Sequence, residues 1–169
     1  MSSTTTDTIL VAGIEPESIT DGPGVRFVVF TQGCPHHCRG CHNPETHAYT
    51  GRGIPMTVDE LFARIEADPL VSGVTFSGGE PLLHAGPLAR LAKKCRAIGK
   101  NVMVYTGYLY EKIQEAANPD WNALLAETDI LIDGPYVEEE RSLAIHFRGS
   151  RNQRVFFLTE CGKSFESRF

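Results

Sequence analysis

Apolar and polar positions follow one another along the chain in blocks typical of alternating strands and helices. Apolar runs rich in Val, Ile and Phe predict six strands, namely ILVAGIE, VRFVVFTQG, SGVTF, NVMVYTG, DILIDG and QRVFFLT. Between them, TVDELFARIEAD and GPLARLAKKCRAIGKN carry apolar residues at helical spacing, and YLYEKIQEAA and PDWNALLAE are shorter helical pieces. Thr57 and Glu60 form a capping box before the first helix, and Gly99 is placed to end the second. The pattern predicts an α/β fold.

This succession of strands and helices favours a mainly parallel sheet, because parallel neighbours need a crossover connection that a helix can supply. The chain has about five or six such strands, fewer than the eight of a closed barrel, so we expect an incomplete, open (β/α) barrel. No repeat at solenoid spacing and no long linker divides the chain. We therefore expect one domain over residues 1–169, with residues 1–7 disordered and about 159–169 forming a tail.

Four unusual loops directly follow predicted strands. GCPHHCRGCHN follows the strand that ends near Thr31, and SGGEP follows the strand that ends at Phe76. TGY follows the strand that ends at Tyr105, and DGP follows the strand that ends at Ile132. In parallel α/β sheets the C-terminal ends of the strands share one face, and that face carries the active site. Four such loops on one face predict an enzyme with its site there.

The overall composition limits the class of partner. A formal charge of −5 and a pI of about 5.7 argue against a generally basic nucleic-acid-binding protein, so we expect no direct nucleic-acid partner. The first apolar run is too short for a signal or membrane segment, and we expect a cytoplasmic protein without a membrane partner. Five cysteines, three of them crowded together, do not resemble a disulfide framework. In a reducing compartment such a cluster indicates metal binding or redox chemistry.

The three crowded cysteines have the spacing Cys34-x3-Cys38-x2-Cys41, which leaves two interpretations open. A structural zinc site is tetrahedral, and a neighbouring histidine would complete it; the candidates are His36, His37 and His42. An iron–sulfur cluster is held by thiolates, usually four for a cubane, so three cysteines would leave one iron open to substrate. The other two cysteines carry no such signal: we expect Cys95 to pack in the core, and nothing marks Cys161.

The cysteine spacing, with a Gly-Gly-Glu loop after the next strand, resembles the radical S-adenosylmethionine (SAM) superfamily. Further motifs narrow the likeness to the glycyl-radical enzyme activases, and among these to the family that activates anaerobic ribonucleoside-triphosphate reductase. Those motifs are DGPG, the CHN ending of the cysteine loop, and RGSRNQR. The likeness runs from about residue 18 to about residue 158.

The resemblance implies two cofactors and the residues that hold them. Cys34, Cys38 and Cys41 would hold one 4Fe–4S cluster, and the amino and carboxylate groups of SAM would chelate the fourth iron. The SGGE segment would meet the methionine amino group, largely through main-chain atoms, with glycines that let the backbone come close to the ligand. An aromatic residue often precedes the third cysteine in the superfamily; here Gly40 does, and its backbone can still contact adenine. The residues assigned to SAM are Gly40, Cys41, His42, Ser77, Gly78, Gly79, Glu80 and Asp133.

The resemblance also implies an oxidoreductase mechanism. A reduced cluster would give one electron to SAM, and the resulting 5′-deoxyadenosyl radical would take a hydrogen atom from a glycine of the partner reductase. Asp21 in DGPG would lie near that glycine, although it could also simply form a turn, and His42 would lie near SAM or the incoming glycine loop; we take both as candidate catalytic residues. Asp133 would help to place SAM directly or through a cation. The electron would come from a flavodoxin- or ferredoxin-type reductant.

Two alternatives remain open at the level of sequence. Within the same chemistry, the chain could activate another glycyl-radical enzyme of the pyruvate formate-lyase type. In a different class, it could be a non-enzymatic zinc or iron–sulfur module. The segment RGSRNQR has no physical explanation from sequence alone, and partner or nucleotide contact is a hypothesis for it.

Overall fold

A computed structural model describes residues 7–169 of the protein, and within that range seven strands form one sheet. The strands are β1 Thr8–Ser18, β2 Arg26–Thr31, β3 Ile54–Thr57, β4 Gly73–Gly78, β5 Asn101–Tyr105, β6 Ile130–Asp133 and β7 Arg154–Phe157. The helices are α1 Val58–Glu66, α2 Ala85–Ala97, α3 Tyr110–Ala116, α4 Pro119–Ala126 and α5 Glu160–Lys163. Short 3-10 turns occur at Pro44–Thr46, Pro81–His84, Glu138–Glu140 and Glu166–Arg168.

The sheet is open and mixed, in the order β3-β1-β2-β4-β5-β6-β7. The central strands β2, β4, β5 and β6 are parallel, whereas β1, β3 and β7 join antiparallel to their neighbours. The openness confirms the prediction, but the expected five or six mainly parallel strands were wrong. The connection 19–25 between β1 and β2 is too short for a crossover, so these two strands can pair only antiparallel.

Strand β3 is the strand that the apolar pattern did not indicate. It is four residues long, mostly exposed, and contains Pro55. It pairs with β1 alone, from Thr8 opposite Thr57 to Val11 opposite Ile54. Proline is tolerated at a sheet edge because one side of an edge strand needs no ladder hydrogen bonds. A short, exposed edge strand therefore depends on its neighbour, and its own sequence carries little strand signal.

The predicted helices are confirmed, and their ends follow from local chemistry. The Thr57 hydroxyl accepts from the Glu60 amide at 3.1 Å, and the Thr57 amide donates to the Glu60 carboxylate at 2.7 Å. This reciprocal pair fixes the first turn of α1. After α2, Gly99 has a φ of +80°, the left-handed conformation that ends a helix. Within residues 7–169, no helix is both long and apolar enough to cross a lipid bilayer.

The two faces of the sheet are covered differently. Alternate residues of a strand point to opposite faces, and accordingly Val102 and Val104 of β5 belong to one buried cluster while Met103 belongs to another. The larger cluster packs beneath α1, α2 and α4. The smaller one, Met103 with Ile130 and Ile132, is covered mainly by aromatic residues. They are Tyr105 of β5 and, from the C-terminal third of the chain, Phe147, Phe157, Phe165 and Phe169.

We expected residues 1–7 to be disordered and about 159–169 to form a tail. Residues 1–6 lie outside the described part of the chain, but Asp7 accepts a hydrogen bond from Arg90 at 2.6 Å. At the other end, residues 159–169 contain α5, whose first turn is capped by the Thr159 hydroxyl. Phe165 and Phe169 of the same segment pack against the smaller buried cluster. This segment is therefore part of the packed structure and covers one face of the sheet.

Candidate active site

A cavity of about 650 Å³ lies at the C-terminal ends of the parallel strands. The loops that follow β2, β4, β5 and β6 all contribute to its wall, as the positions of the unusual motifs predicted. All three crowded cysteines line it. The remaining wall comes from the segment before β2, which contains Asp21, and from the segment 143–153 before β7. The topology alone therefore gathers the candidate chemistry at one edge of the sheet.

The three cysteines lie on a loop whose backbone is held by hydrogen bonds. The Gly33 amide donates to the carbonyl oxygen of Thr46 at 2.7 Å, and the Cys41 amide donates to that of Cys38 at 3.2 Å. Cys34 is buried, and this burial is the main cause that raises the pKa of its thiol. Among residues 7–169, no three side chains from His, Cys, Asp and Glu are grouped closely enough to ligate one metal ion. All three cysteines are free thiols at the cavity wall.

The structure brings most of the predicted site residues to the cavity, but not all of them. Besides the cysteines, five predicted residues line its wall: Asp21, His42, Ser77, Gly78 and Gly79. The His42 ring also packs against Tyr136, with 4.9 Å between ring centroids. Three predicted residues are not among the lining residues, namely Gly40, Glu80 and Asp133. Gly40 instead faces Glu138, whose carboxyl group would lie 2.8 Å from a Cβ added at Gly40.

The two glycines of the SGGE segment face neighbouring backbone as well as the cavity. Gly78 has a φ of +91°, and a Cβ there would lie 2.5 Å from the amide nitrogen of Thr31. A Cβ at Gly79 would overlap the carbonyl oxygen of Gly33. The Gly79 amide donates to the carbonyl oxygen of Thr31 at 2.8 Å. Because Gly78 and Gly79 have no side chains, the loop after β4 can lie directly against the loop after β2.

Glu80 is fully buried, and donors from three loops occupy its carboxylate. One oxygen, Oε1, accepts from the Leu82 amide at 3.0 Å and from the Thr106 hydroxyl at 2.9 Å. The other, Oε2, accepts from the Gly107 amide at 2.9 Å and lies 2.7 Å from Nε2 of His36. A buried charge is tolerated when hydrogen bonds replace its hydration. Sequence reasoning placed Glu80 near SAM and did not foresee this arrangement.

An aromatic series extends outward from His36, which lies within the cysteine loop. The His36 ring meets Tyr108 edge-on, with 4.6 Å between centroids, and a Cβ at Gly107 would overlap the His36 ring. Tyr108 in turn packs against Trp121 at 4.9 Å. The Trp121 indole donates to the carbonyl oxygen of Leu82 at 2.9 Å. The series joins the cysteine loop to α4.

Asp133 is engaged away from the cavity. Its carboxylate accepts from the Tyr110 amide at 2.7 Å and from Arg154 at 2.5 and 3.1 Å. Arg154 also donates to both oxygens of Glu111, at 2.9 and 2.7 Å, and this hydrogen bonding is the main cause that lowers the pKa of Glu111 to about 2. Asp133 therefore fastens α3 and β7 to the end of β6. The last arginine of RGSRNQR has a structural partner that explains its position.

The rest of RGSRNQR contributes three residues to the cavity wall. The Gln153 side chain accepts from the Gly149 amide at 2.8 Å and donates to the carbonyl oxygen of Gly134 at 3.2 Å. Asn152 donates to the backbone of the same DGP loop. Arg148, Gly149 and Gln153 line the cavity. Sequence analysis singled out RGSRNQR, with partner or nucleotide contact as a hypothesis, but did not assign any of its residues to the site.

Asp21 is positioned by a buried arginine. Its backbone oxygen accepts from the Thr75 hydroxyl at 2.8 Å, and that hydroxyl accepts from Arg26 at 2.6 Å. Arg26 is fully buried, and burial lowers its pKa to about 10. The Asp21 carboxylate accepts from the Ser18 hydroxyl at 2.5 Å. Asp21 therefore sits at the cavity wall on a turn anchored to β4.

Comparison with known proteins defines the class. The family model of the 4Fe-4S single cluster domain matches residues 20–156, which include the cysteine loop and the segment up to β7. One solved structure, QueE from Escherichia coli, superposes with a TM-score of 0.46 and 18% identity over 59% of this chain and 52% of that chain. The open α/β sheet, its three-cysteine loop and the family match define an iron–sulfur enzyme of the radical SAM type. Its cofactors are a 4Fe–4S cluster and SAM.

Curated relatives narrow the class. An anaerobic ribonucleoside-triphosphate reductase-activating protein from Enterobacteria phage T4 is 34% identical over 87% of this chain and 93% of its own length. One from Vibrio cholerae is 29% identical over 85% of this chain and 95% of its own. A pyruvate formate-lyase-activating enzyme from Clostridium pasteurianum is 36% identical over 83% of this chain but only 58% of its own length. The chain belongs to the family of anaerobic ribonucleoside-triphosphate reductase-activating proteins.

Proposed function

We propose that the protein activates an anaerobic ribonucleoside-triphosphate reductase by generating a glycyl radical on it through reductive cleavage of SAM. The observation that carries this proposal is the extent of the match. The chain spans 93–95% of the reductase-activating relatives but only 58% of the pyruvate formate-lyase-activating enzyme. The higher identity to that second enzyme, 36%, makes pyruvate formate-lyase the partner to test beside the reductase.

The residues at the cavity fit the two cofactors. On this proposal Cys34, Cys38 and Cys41 hold the 4Fe–4S cluster, because thiolates are its ligands and three of them leave one iron free for SAM. The cavity volume of about 650 Å³ lies in the range of sites that take small-molecule ligands. When bound, the reduced cluster and SAM supply the 5′-deoxyadenosyl radical that removes a hydrogen atom from glycine.

The chain itself contributes binding, orientation and access. Ser77, Gly78 and Gly79 offer main-chain groups at the cavity wall, where a ligand can approach the backbone closely. A second groove of about 520 Å³ runs along the latter half of β1 and shares Thr20, Asp21 and Phe30 with the cavity. A glycine-bearing peptide loop entering by this groove would reach the cavity beside Asp21, and the docked partner would then exclude water from the site. A flavodoxin- or ferredoxin-type protein supplies the electron on this proposal.

The test is anaerobic reconstitution with iron and sulfide, followed by incubation with SAM, dithionite and the reductase, read by electron paramagnetic resonance. We expect a stable glycyl radical on the reductase, and none on a reductase whose target glycine is changed to alanine. Pyruvate formate-lyase incubated in parallel should stay without a radical. A radical on pyruvate formate-lyase alone would overturn the assignment of the partner. Stoichiometric zinc in place of iron, with no SAM cleavage, would overturn the enzyme mechanism.

A further inference from the structure

Glu80 differs from the other residues of the SGGE segment in where its side chain lies. Ser77, Gly78 and Gly79 line the cavity, whereas Glu80 is fully buried outside its wall. The Glu80 amide donates to the carbonyl oxygen of Gly33 at 2.8 Å, so its backbone also contacts the start of the cysteine loop. The residue therefore stands at the junction of three loops.

The carboxylate suits this junction because it can accept at both oxygens at once. The backbone amide of Leu82 faces Oε1, and the backbone amide of Gly107 faces Oε2. Backbone amides only donate, so an amide side chain would set its own NH₂ group against one of them in either orientation. A carboxylate cannot donate, so His36 must present a protonated Nε2 to Oε2. Glutamine and glutamate are therefore not equivalent at this position.

We propose that Glu80 is a positioning residue whose carboxylate locks the loops after β2, β4 and β5 together and, through His36, sets the geometry of the cysteine loop. His36 lies between Cys34 and Cys38 in the chain, so its ring fixes the part of the loop that carries both thiols. The ring is confined by Gly107 and Tyr108, which leaves the hydrogen bond to Glu80 one defined direction. The statement that this loop holds the cluster rests on the proposed function. The lock between the three loops does not depend on that function.

If the Glu80 side chain instead bound the amino group of SAM directly, the substitution Glu80→Gln would have the opposite outcome. In Glu80→Gln the side chain keeps an oxygen that can accept from an ammonium group, so a ligand contact would survive in part. The lock would not survive, because one fixed backbone donor loses its acceptor and meets another donor. An unsatisfied buried donor is costly even when the shape of the side chain is retained.

The primary test is hydrogen–deuterium exchange of the full chain before any cluster is added. In Glu80→Gln we expect the amides of 33–43 and 106–109 to exchange about tenfold faster or more, as loss of a hydrogen bond to a charged group predicts. His36→Phe keeps an aromatic ring beside Tyr108 and removes the hydrogen bond to Glu80, so the amides of 33–43 should exchange faster while those of 82–84 stay protected. Glu60→Gln is the matched control: it removes a glutamate from the start of α1 and should affect that turn alone.

The same variants are then reconstituted, and the reduced cluster is examined by electron paramagnetic resonance with and without SAM. We expect His36→Phe to change the spectrum, because the cysteine loop is no longer fixed, while Glu60→Gln matches the unchanged protein. If faster exchange in Glu80→Gln is confined to the amides of 82–84, Glu80 only caps that turn and the proposed lock is overturned. If the Glu80→Gln protein does not fold, the His36→Phe protein provides the test. Unchanged exchange of the amides of 33–43 in that variant would also overturn the lock. Failure of the unchanged protein to form a glycyl radical would overturn the proposed function and leave the exchange result standing.

Discussion

The five cysteines occupy three different environments, and each predicts a different behaviour. Cys34, Cys38 and Cys41 line the cavity, with Cys34 the most buried of the three. Cys95 is fully buried on the inner face of α2. Cys161 is exposed on α5. Thiols that hold a cluster must face a common space, and of the five only these three line the cavity.

We expect Cys38→Ala to reduce the iron content after reconstitution and to lower SAM cleavage to background, because two thiolates do not hold a 4Fe–4S cluster. Cys34→Ala and Cys41→Ala should behave alike. Cys161→Ala serves as the control and should keep both iron and activity. The measurements are iron and sulfide analysis and 5′-deoxyadenosine formation under anaerobic conditions. Full activity in Cys38→Ala would exclude the cluster assignment.

Cys95 predicts a pH dependence of stability. Burial raises the pKa of its thiol from 9.0 to about 12, an effect that Lys100 partly offsets. Between these values the unfolded chain releases a proton that the folded chain keeps, so the free energy of unfolding falls as pH rises from about 9 to about 12. We expect Cys95→Ala to flatten this fall in urea unfolding of the cluster-free protein, and exposed Cys161→Ala to retain most of it. An identical slope in Cys95→Ala and the unchanged protein would contradict the assignment.

At the scale of elements, the loop after β4 and the loop after β2 are packed backbone to backbone. We expect Gly79→Ala to destabilise the cluster-free protein by about 1–3 kcal/mol or more, because the added methyl group overlaps the Gly33 carbonyl oxygen. Gly13→Ala is the control, since a Cβ at Gly13 meets nothing within 4 Å. Urea unfolding midpoints at constant slope give the comparison. Equal midpoints for Gly79→Ala and the unchanged protein would contradict the close packing.

The sequence could predict features that depend on neighbours along the chain. The capping box of Thr57 and Glu60 and the helical end at Gly99 are local, and the structure has both. The loops after parallel strands were also predictable, because topology places such ends together. The direction of β1 and the existence of β3 depend on partners distant in sequence, so apolar periodicity did not reveal them.

The same distinction applies to the candidate site. The spacing of Cys34, Cys38 and Cys41 is visible in one short stretch, and the structure places these three residues at the cavity wall. The contact between His36 and Glu80 joins residues 44 positions apart, and the motif gave no sign that Glu80 turns away from the cavity. Asp133 was expected at the ligand because it ends a strand, yet Arg154 of β7 holds it. Which charged groups pair with one another is decided by packing that a single sequence does not display.

At the scale of the whole molecule, the groove along β1 and the cavity meet at Asp21. If the partner's glycine loop enters there, Asp21→Ala should weaken radical transfer to the reductase more than it weakens SAM cleavage without the reductase. The cysteine loop and the SGGE segment are untouched by this change. Asp68→Ala is a matched control, since Asp68 is a partly exposed acid that accepts from an amide two residues later. Equal loss of both activities would show that Asp21 only shapes its turn.

The aromatic series that begins at His36 ends at a tryptophan, so intrinsic fluorescence can report on cluster binding. The chain has one tryptophan, Trp121, so all tryptophan emission comes from the far end of that series. Emission responds to changes in ring packing and is quenched when an absorbing iron–sulfur chromophore arrives nearby. We expect the fluorescence to fall as iron and sulfide are added anaerobically, and to keep its starting value in the Cys38→Ala protein. Loading of the protein can thus be followed continuously, without a label and without a partner.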